Sequence, residues 1–192
     1  SIAGTTSNHP FVLFANNAER LRITSTGTVL KGLTTARGNY GNNTSGVEHI
    51  FQIEGTSAIN ATLAIVRNSN DANDGGIVLG KTRATSNGGN TVVQAGDDLG
   101  NLTFAGNDGS TMLFGAEIFA EVQSGVGNDD MPADLIFSTN AGSTGTTERL
   151  RITSDGKVGI NEDSPKEKIQ VKDADSCAVS YENIKPKEDV HD

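Results

Sequence analysis

The sequence predicts an all-β protein, and three observations lead to that prediction. Short apolar segments alternate with clusters of glycine, asparagine, aspartate and serine at a spacing of about 8–12 residues, which is typical of strands joined by turns. One strand–turn–strand segment occurs twice. Hydrophobic residues make up 34% of the chain, aromatic residues only 5%, and tryptophan is absent, so small aliphatic side chains must form the core. We therefore expect an elongated or interwoven all-β structure of short strands: a β-sandwich, a barrel or a fibrous β-structure.

The repeated segment covers eleven residues, 19–29 and 148–158, and its two copies differ at only two positions. In each copy apolar and polar residues alternate, and a Ser-x-Gly turn then leads into a second apolar segment, so each copy predicts a β-meander. Upstream, residues 12–18 align with residues 135–141, and residues 142–147 form an insertion in the second copy. A hairpin loop tolerates such an insertion, whereas a core does not.

The arginines of the repeat occupy one face of its strand: Arg20 and Arg22 in the first copy, Arg149 and Arg151 in the second. A charged strand face is usually solvated and paired with carboxylates, and we adopt this interpretation. Binding of an anionic partner is the alternative.

Charge and composition exclude several classes of function. The net charge of −9 argues against binding to nucleic acid or to an anionic membrane surface, both of which require a basic face. No apolar segment approaches the ~20 residues of a transmembrane helix. Cys177 is the only cysteine, so the chain has no intrachain disulfide and no cysteine-based metal site. Because the chain begins at Ser1 without a signal-peptide pattern, we expect a fragment or a processed chain.

The expected organisation has five parts: an N-terminal β-repeat module (1–32), a Gly/Asn-rich linker (33–47), a central all-β domain (48–130), a C-terminal β-repeat module (131–171) and a polar tail (172–192). Residues 58–66 are interpreted as a strand rather than a helix because β-branched residues dominate them. Six strands are predicted in the central domain: 50–53, 61–66, 76–79, 91–93, 102–104 and 118–122.

Residues 148–165 resemble the ERLRI-S-G-VGI-SP module of tail-fibre and tail-spike proteins of tailed bacteriophages. Three upstream stretches resemble segments of the same proteins in the same order: 96–109, 115–118 and 127–137. The resemblance covers roughly residues 94–166, and the first repeat copy adds residues 11–29.

This resemblance implies an elongated homotrimeric virion fibre, located outside the cell, in which three parallel chains interweave into a β-helix or a β-prism. It implies as partners other tail-fibre or baseplate proteins and a host cell-surface glycan or protein, with no nucleic acid and no membrane insertion. Many such fibres end in an intramolecular chaperone that cleaves itself off, but only 27 residues (192 − 165) follow Pro165, too few for that chaperone. Trimerisation also has a physical reason, since three chains wrapped about an axis remove exposed strand edges.

Acidic doublets are the first candidates for chemistry. Two such doublets occur, Asp97–Asp98 and Asp129–Asp130. Each could serve as a carboxylate pair for glycoside hydrolysis or for calcium binding. Adjacent strand residues point to opposite faces, and aspartates commonly cap turns, so both doublets are interpreted as turn residues. The loop 68–74 has the composition of a calcium loop but lacks its terminal glutamate, and is interpreted in the same way.

The remaining candidates concern metal and glycan binding. The three histidines, His9, His49 and His191, are far apart in sequence. A histidine on a threefold axis could supply three ligands to one metal, and His49 is the best placed, but we interpret it as a surface or core histidine. A possible glycan-contact loop comprises Asn39, Tyr40, Asn42 and Asn43, with a plain flexible linker as the alternative.

The predicted function is a structural and adhesive one, with no catalytic residues, no cofactor and no metal. Two alternatives stay open. One is a tail-spike domain that degrades surface polysaccharide, and the other is a non-viral extracellular filament or adhesin.

Overall fold

The computed structural model describes residues 3–38, 40 and 49–172, and the backbone of residues 178–180. This part of the chain forms eleven strands in two sheets, and no helix occurs within it, so the prediction of an all-β fold is confirmed. The described residues accordingly include no helix long and apolar enough to cross a membrane. The chain divides into two compact units, Ser1–Ile77 with Asn107–Met112 and Val78–Gly106 with Leu113–Asp192.

A four-stranded sheet lies in the first unit, with its strands in chain order. The first three strands are antiparallel neighbours, and the fourth runs parallel to the third. The strands are β1 (Phe11–Ala15), β2 (Ala18–Ile23), β3 (Val29–Lys31) and β4 (Phe51–Ile53).

Most of the seven-stranded sheet lies in the second unit, in the order β11-β10-β9-β8-β7-β6-β5. The ladders from β6 to β9 and between β10 and β11 are antiparallel, and β9 and β10 are parallel. The strands are β5 (Asp98–Asn107), β6 (Met112–Val122), β7 (Ala133–Thr139), β8 (Thr147–Ile152), β9 (Val158–Ile160), β10 (Ile169–Lys172) and β11 (Ala178–Ser180).

The repeated sequence forms the same strand unit twice, as β1–β4 and as β7–β10. Each unit has two antiparallel ladders followed by a parallel one, and each first hairpin carries a bulge. The turn is also the same, because the hydroxyl of Thr24 or Thr153 accepts a hydrogen bond from the amide four residues later. The predicted meander is therefore confirmed, and a parallel fourth strand extends it.

The alignment upstream of the repeat is wrong by one residue. Leu13 pairs with Leu21, and Phe137 pairs with Leu150 at the equivalent position, so Leu13 corresponds to Phe137 and not to Ile136. A shift of one residue exchanges the two faces of a strand, so only the ladder register identifies equivalent side chains. Residues 142–146 of the predicted insertion lie in the hairpin loop between β7 and β8, as expected, whereas Thr147 begins β8 and pairs with Thr139.

Half of the strands predicted in the central domain do not form. Residues 50–53, 102–104 and 118–122 lie in or overlap β4, β5 and β6, whereas the three remaining segments have no strand structure. An extended segment becomes a strand only when a neighbour pairs with it, and the described part of this chain supplies no such neighbour. The apolar side chains of these segments are exposed, up to 93% at Val78, except that of Val93, which is only 5% exposed. The non-forming segments are 61–66, 76–79 and 91–93.

The described residues bury few large apolar side chains. Among them only Leu30, Val93, Val122 and Ile136 are buried hydrophobic residues. A set of polar side chains is equally buried: Thr28, Gln52, Asp97, Asp134, Ser138 and Arg151. Hydrogen bonds and ion pairs must therefore satisfy the interior of both units.

Candidate functional site

One arginine of the predicted solvated face, Arg151, is buried in the second repeat copy. Arg151 in β8 is only 9% exposed, and its Nε and Nη2 donate to the Glu148 carboxylate at 3.0 and 2.8 Å. Its Nη1 donates to Asp134 Oδ2 at 2.7 Å and to Glu121 Oε1 at 3.4 Å. The hydrogen bonds that Arg151 donates to Glu148 and then to Asp134 hold its pKa above its usual range, against the opposing effect of burial. The prediction that the repeat arginines pair with carboxylates is confirmed for Arg151, but the prediction that they are exposed to solvent is wrong for this residue.

This Arg151 cluster also fixes the turn of the repeat. Asp134 Oδ1 accepts a hydrogen bond from the Ser154 amide at 2.8 Å, so one carboxylate joins β7, β8 and the turn. In the first copy Arg22 pairs with Glu19, and its Nε lies 2.8 Å from Glu19 Oε1. The arrangement orders the backbone and commits the guanidinium to internal partners, so it is structural rather than anion-binding.

Asp97 anchors a segment that has no ladder of its own. Its position in a turn is confirmed, because its amide donates to the Gln94 carbonyl and its Oδ2 accepts from the Gln94 amide, both at 3.0 Å. Arg83 Nε and Lys81 Nζ also donate to the buried carboxylate at 2.7 and 2.9 Å. Arg83 and then Lys81 hold the pKa of Asp97 well below its usual range. Sequence reasoning missed this anchor, although the Lys-x-Arg spacing is a visible signal.

The Asp97 anchor predicts a loss of stability in acid. A carboxyl group whose folded pKa is depressed stabilises the fold above its unfolded pKa of about 3.9, and this contribution disappears as the pH falls below that value. We expect Asp97→Asn to flatten the dependence of unfolding free energy on pH between about pH 5 and pH 2. Denaturant titrations across this range measure it, with Asp98→Asn at the exposed neighbour as the matched control. Equal slopes for wild type and Asp97→Asn would contradict the assignment.

Tyr40 is held within the first unit rather than presented as a free ring. Its hydroxyl donates to Glu54 Oε1 at 2.6 Å, its ring meets the His49 ring edge-on at 5.2 Å between centroids, and the Arg37 guanidinium lies 5.6 Å from its centroid. Burial, and then the hydrogen bond to Glu54, raise the pKa of Tyr40 to about 12. The other three predicted glycan-contact residues, Asn39, Asn42 and Asn43, lie outside the described residues.

Gln52 fastens the chain on both sides of this aromatic cluster. Its buried carboxamide accepts from the Arg37 amide at 2.9 Å and donates to the carbonyls of Arg37 and His49 at 3.1 and 2.9 Å. Arg37 Nε also lies 2.9 Å from Glu54 Oε1. The sequence feature that could have predicted this anchoring role is a glutamine between two apolar residues of a strand. The segment between Arg37 and His49 thus starts and ends at fixed points on β4.

A polar groove of about 290 Å³ opens in the second unit, and sequence reasoning did not predict it. Thr146 Oγ1 donates a hydrogen bond to Glu117 at its edge. Three carboxylates make the groove negative, which favours hydroxyl-rich or cationic ligands over anionic ones. Among the described residues, no group of three or more His, Cys, Asp or Glu side chains is arranged to hold a metal ion. The main lining residues are Asp98, Asn101, Glu117, Phe119, Ser138 and Glu148.

The other candidate residues have local structural roles. Asp129 adopts a left-handed backbone conformation with φ of 58°, which confirms a turn at the second acidic doublet. In the loop 68–74, the Asp71 carboxylate accepts hydrogen bonds from Arg67 at 2.7 Å and Ser69 at 2.6 Å. His9 Nδ1 lies 3.0 Å from the Ser7 hydroxyl oxygen. His191 and Cys177 lie outside the described residues.

These features define the class of protein: an all-β chain that builds one strand unit twice and whose described polar clusters brace its backbone. No family model matches the sequence, and no curated protein matches it. Among solved structures, it is similar to the carboxy-terminal domain of the bacteriophage T5 L-shaped tail fibre, with a TM-score of 0.55. The match covers 86% of this chain and 70% of that chain at 13% identity. At this identity, the similarity shows a shared fold.

Proposed function

We propose that this chain is a structural and adhesive component of a phage tail fibre, acting outside the host cell as part of the virion. The observation that carries the proposal is the fold match to a phage tail fibre domain over 86% of the chain. The resemblance of the repeat to tail-fibre and tail-spike modules supports the same role on separate grounds, since it depends on sequence.

The proposed assembly is a homotrimer that connects to other tail-fibre or baseplate proteins. The homotrimer is supported by the central part of the chain, where three predicted strands find no ladder partner among the described residues and apolar side chains such as Ile59, Leu63 and Val78 are exposed. A single chain of this kind leaves apolar surface in water, and identical neighbours would cover it and remove free strand edges. Fixed surface loops repeated in three copies would then raise avidity without tight single sites.

The proposed adhesive role is the binding of a host-surface glycan or protein, without catalysis. Tyr40 supports it only through its position, since Glu54 fixes Tyr40 itself and Gln52 fixes Arg37 and His49 on either side of it in the sequence. Such anchoring reduces the ordering cost that a binding loop incurs on contact with its partner.

Cell adsorption tests the adhesive role. We expect the labelled protein to bind some strains of a bacterial panel saturably, and periodate oxidation of surface sugars to abolish binding to a glycan receptor. Binding that survives periodate but not protease treatment of the cells would identify a protein receptor. Tyr40→Ala should weaken binding, whereas Ser86→Ala, at an exposed turn of the second unit, should leave it unchanged. Absence of saturable binding to any strain would contradict adhesion.

Degradation of surface polysaccharide is the second candidate function, and the groove that contains Asp98, Glu117 and Glu148 favours it. Glycosidases place two carboxyl groups across the scissile bond, and this groove brings three carboxylates together from different strands. Glu148 is committed to Arg151, which leaves Asp98 and Glu117 as the candidate pair. Shortening of a polysaccharide by the wild type but not by Glu117→Gln would support this function. Unchanged chain length with the wild type would exclude it for that substrate.

A further inference from the structure

We propose that copies of this chain associate through the outer apolar face of the seven-stranded sheet. This face is formed by six side chains of three adjacent strands: Leu135, Phe137, Leu150, Ile152, Val158 and Ile160. The proposal rests on the proposed function, which requires a self-associating fibre, and it names the surface through which the chains would meet.

The ladder register places these six side chains on one face. Leu135 pairs with Ile152 and Phe137 pairs with Leu150, while Ile152 and Leu150 pair on their other side with Val158 and Ile160. Residues paired across neighbouring strands point to the same side of a sheet, so the six form a continuous patch. Ile169 of β10 extends the patch by one strand, since it pairs with Val158.

The buried side chains of these strands lie on the opposite face of the sheet. This face carries Ile136, which is 0% exposed, and the buried Asp134, Ser138 and Arg151. On the outer apolar face Ile152 is 38% exposed and Ile160 is 37% exposed. Within the described residues, the sheet therefore buries polar side chains on one face and leaves the apolar side chains of Leu135, Ile152 and Ile160 more than a third exposed on the other, the reverse of the usual arrangement of a one-sided sheet.

The electrostatics of this face favour an identical partner. The chain carries a net charge of −9, so approach of a second copy through a charged surface would be repulsive. None of the six residues of the outer apolar face is charged. Two copies meeting there bury aliphatic side chains against each other and bring no like charges together on the patch itself.

The first unit repeats the exposed face. Phe11 pairs with Ile23, Ile23 with Val29 and Val29 with Phe51, and Phe51 remains 58% exposed. Two units with the same topology thus leave the equivalent side uncovered, although their sequences differ outside the repeat. A second copy of the chain carries a matching apolar face in each of its own units, whereas an unrelated partner would have to provide two such faces. We therefore assign the occupant as another copy of this chain.

Solution mass of interface variants tests this assignment. Ile152→Lys and Leu135→Lys place a charge at the centre of the patch, and we expect the mass measured by light scattering to fall from a multiple of 20.0 kDa to 20.0 kDa. Ser86→Lys introduces the same charge at an exposed turn and should leave the mass unchanged. Circular dichroism verifies that each variant keeps its strands.

A milder variant covers the case in which the lysine variants fail to fold. Ile152→Thr keeps a β-branched side chain but removes apolar surface, and we expect it to raise the concentration of half-dissociation about tenfold. Folded variants that keep the wild-type mass would overturn the assigned face and leave the proposed fibre assembly standing. A wild type that is monomeric at every concentration would overturn both.

Discussion

Replacing Arg151 with alanine is expected to lower the free energy of unfolding by about 3 kcal/mol, a larger loss than we expect from either of its control variants or from the glycine substitutions. The guanidinium is nearly buried and neutralises carboxylates contributed by β6, β7 and β8. Removing it leaves Glu148 and Asp134 close together without their cation, and a buried charge without a partner is strongly destabilising. Denaturant unfolding followed by circular dichroism measures the difference.

Two matched variants make the Arg151→Ala result specific. Arg149→Ala lies two positions earlier on the same strand and loses one hydrogen bond to the Thr139 hydroxyl, at 3.1 Å. Arg22→Ala removes the equivalent arginine of the first copy, whose described ion pair is with Glu19 alone. Both should destabilise the protein much less than Arg151→Ala. Equal losses for Arg151→Ala and Arg22→Ala would show that the additional carboxylates of the second copy contribute nothing to stability.

Replacing Gly159 with alanine is the second change with a large expected effect. A Cβ at this position would lie 2.0 Å from the Glu162 carbonyl oxygen and 3.4 Å from Pro165 Cγ. The obstacle is backbone, so the segment after β9 must move to accept even one methyl group. We expect a loss of about 2 kcal/mol in the free energy of unfolding, the usual cost of overpacking a closed site. Thermal and denaturant unfolding provide the measurement.

Gly145→Ala is the control for the glycine substitution. A Cβ there meets no heavy atom within 4 Å, so the same chemical change should be neutral or slightly stabilising. In the first repeat copy the position equivalent to Gly159 is the buried Leu30, because both residues pair with the repeat arginine in the ladder. If Gly159→Ala and Gly145→Ala had the same free energy of unfolding, that result would contradict the close approach of the Glu162 carbonyl to Gly159.

The repeat shows how much of the fold can be predicted from the sequence. Alternation in 19–29 and 148–158 identifies the strands, and the Ser-x-Gly segments identify the turns. Alternation cannot say which face turns inward, however, and the usual rule places Arg151 in water. The carboxylates that permit its burial, Glu121 and Asp134, come from other strands, and their approach depends on ladder registers that no local pattern specifies.

The prediction of three of the strands in the central part of the chain is wrong for a different reason. Residues 61–66, 76–79 and 91–93 have the composition of strands, but strand formation also requires a partner ladder, which the described part of one chain does not supply. The candidate binding loop is predictable only in part. Its composition singles out Tyr40 as an aromatic in a polar loop, whereas the hydrogen bond from its hydroxyl to Glu54 depends on a contact across fourteen residues of sequence.

The mass of the purified, undenatured protein in solution tests the central claim, that this chain is a self-associating fibre subunit, most directly. Three chains of 20.0 kDa give about 60 kDa, and we expect light scattering to report that value over a wide range of concentration. A mass of 20.0 kDa at every concentration would contradict the claim and leave a self-contained all-β monomer.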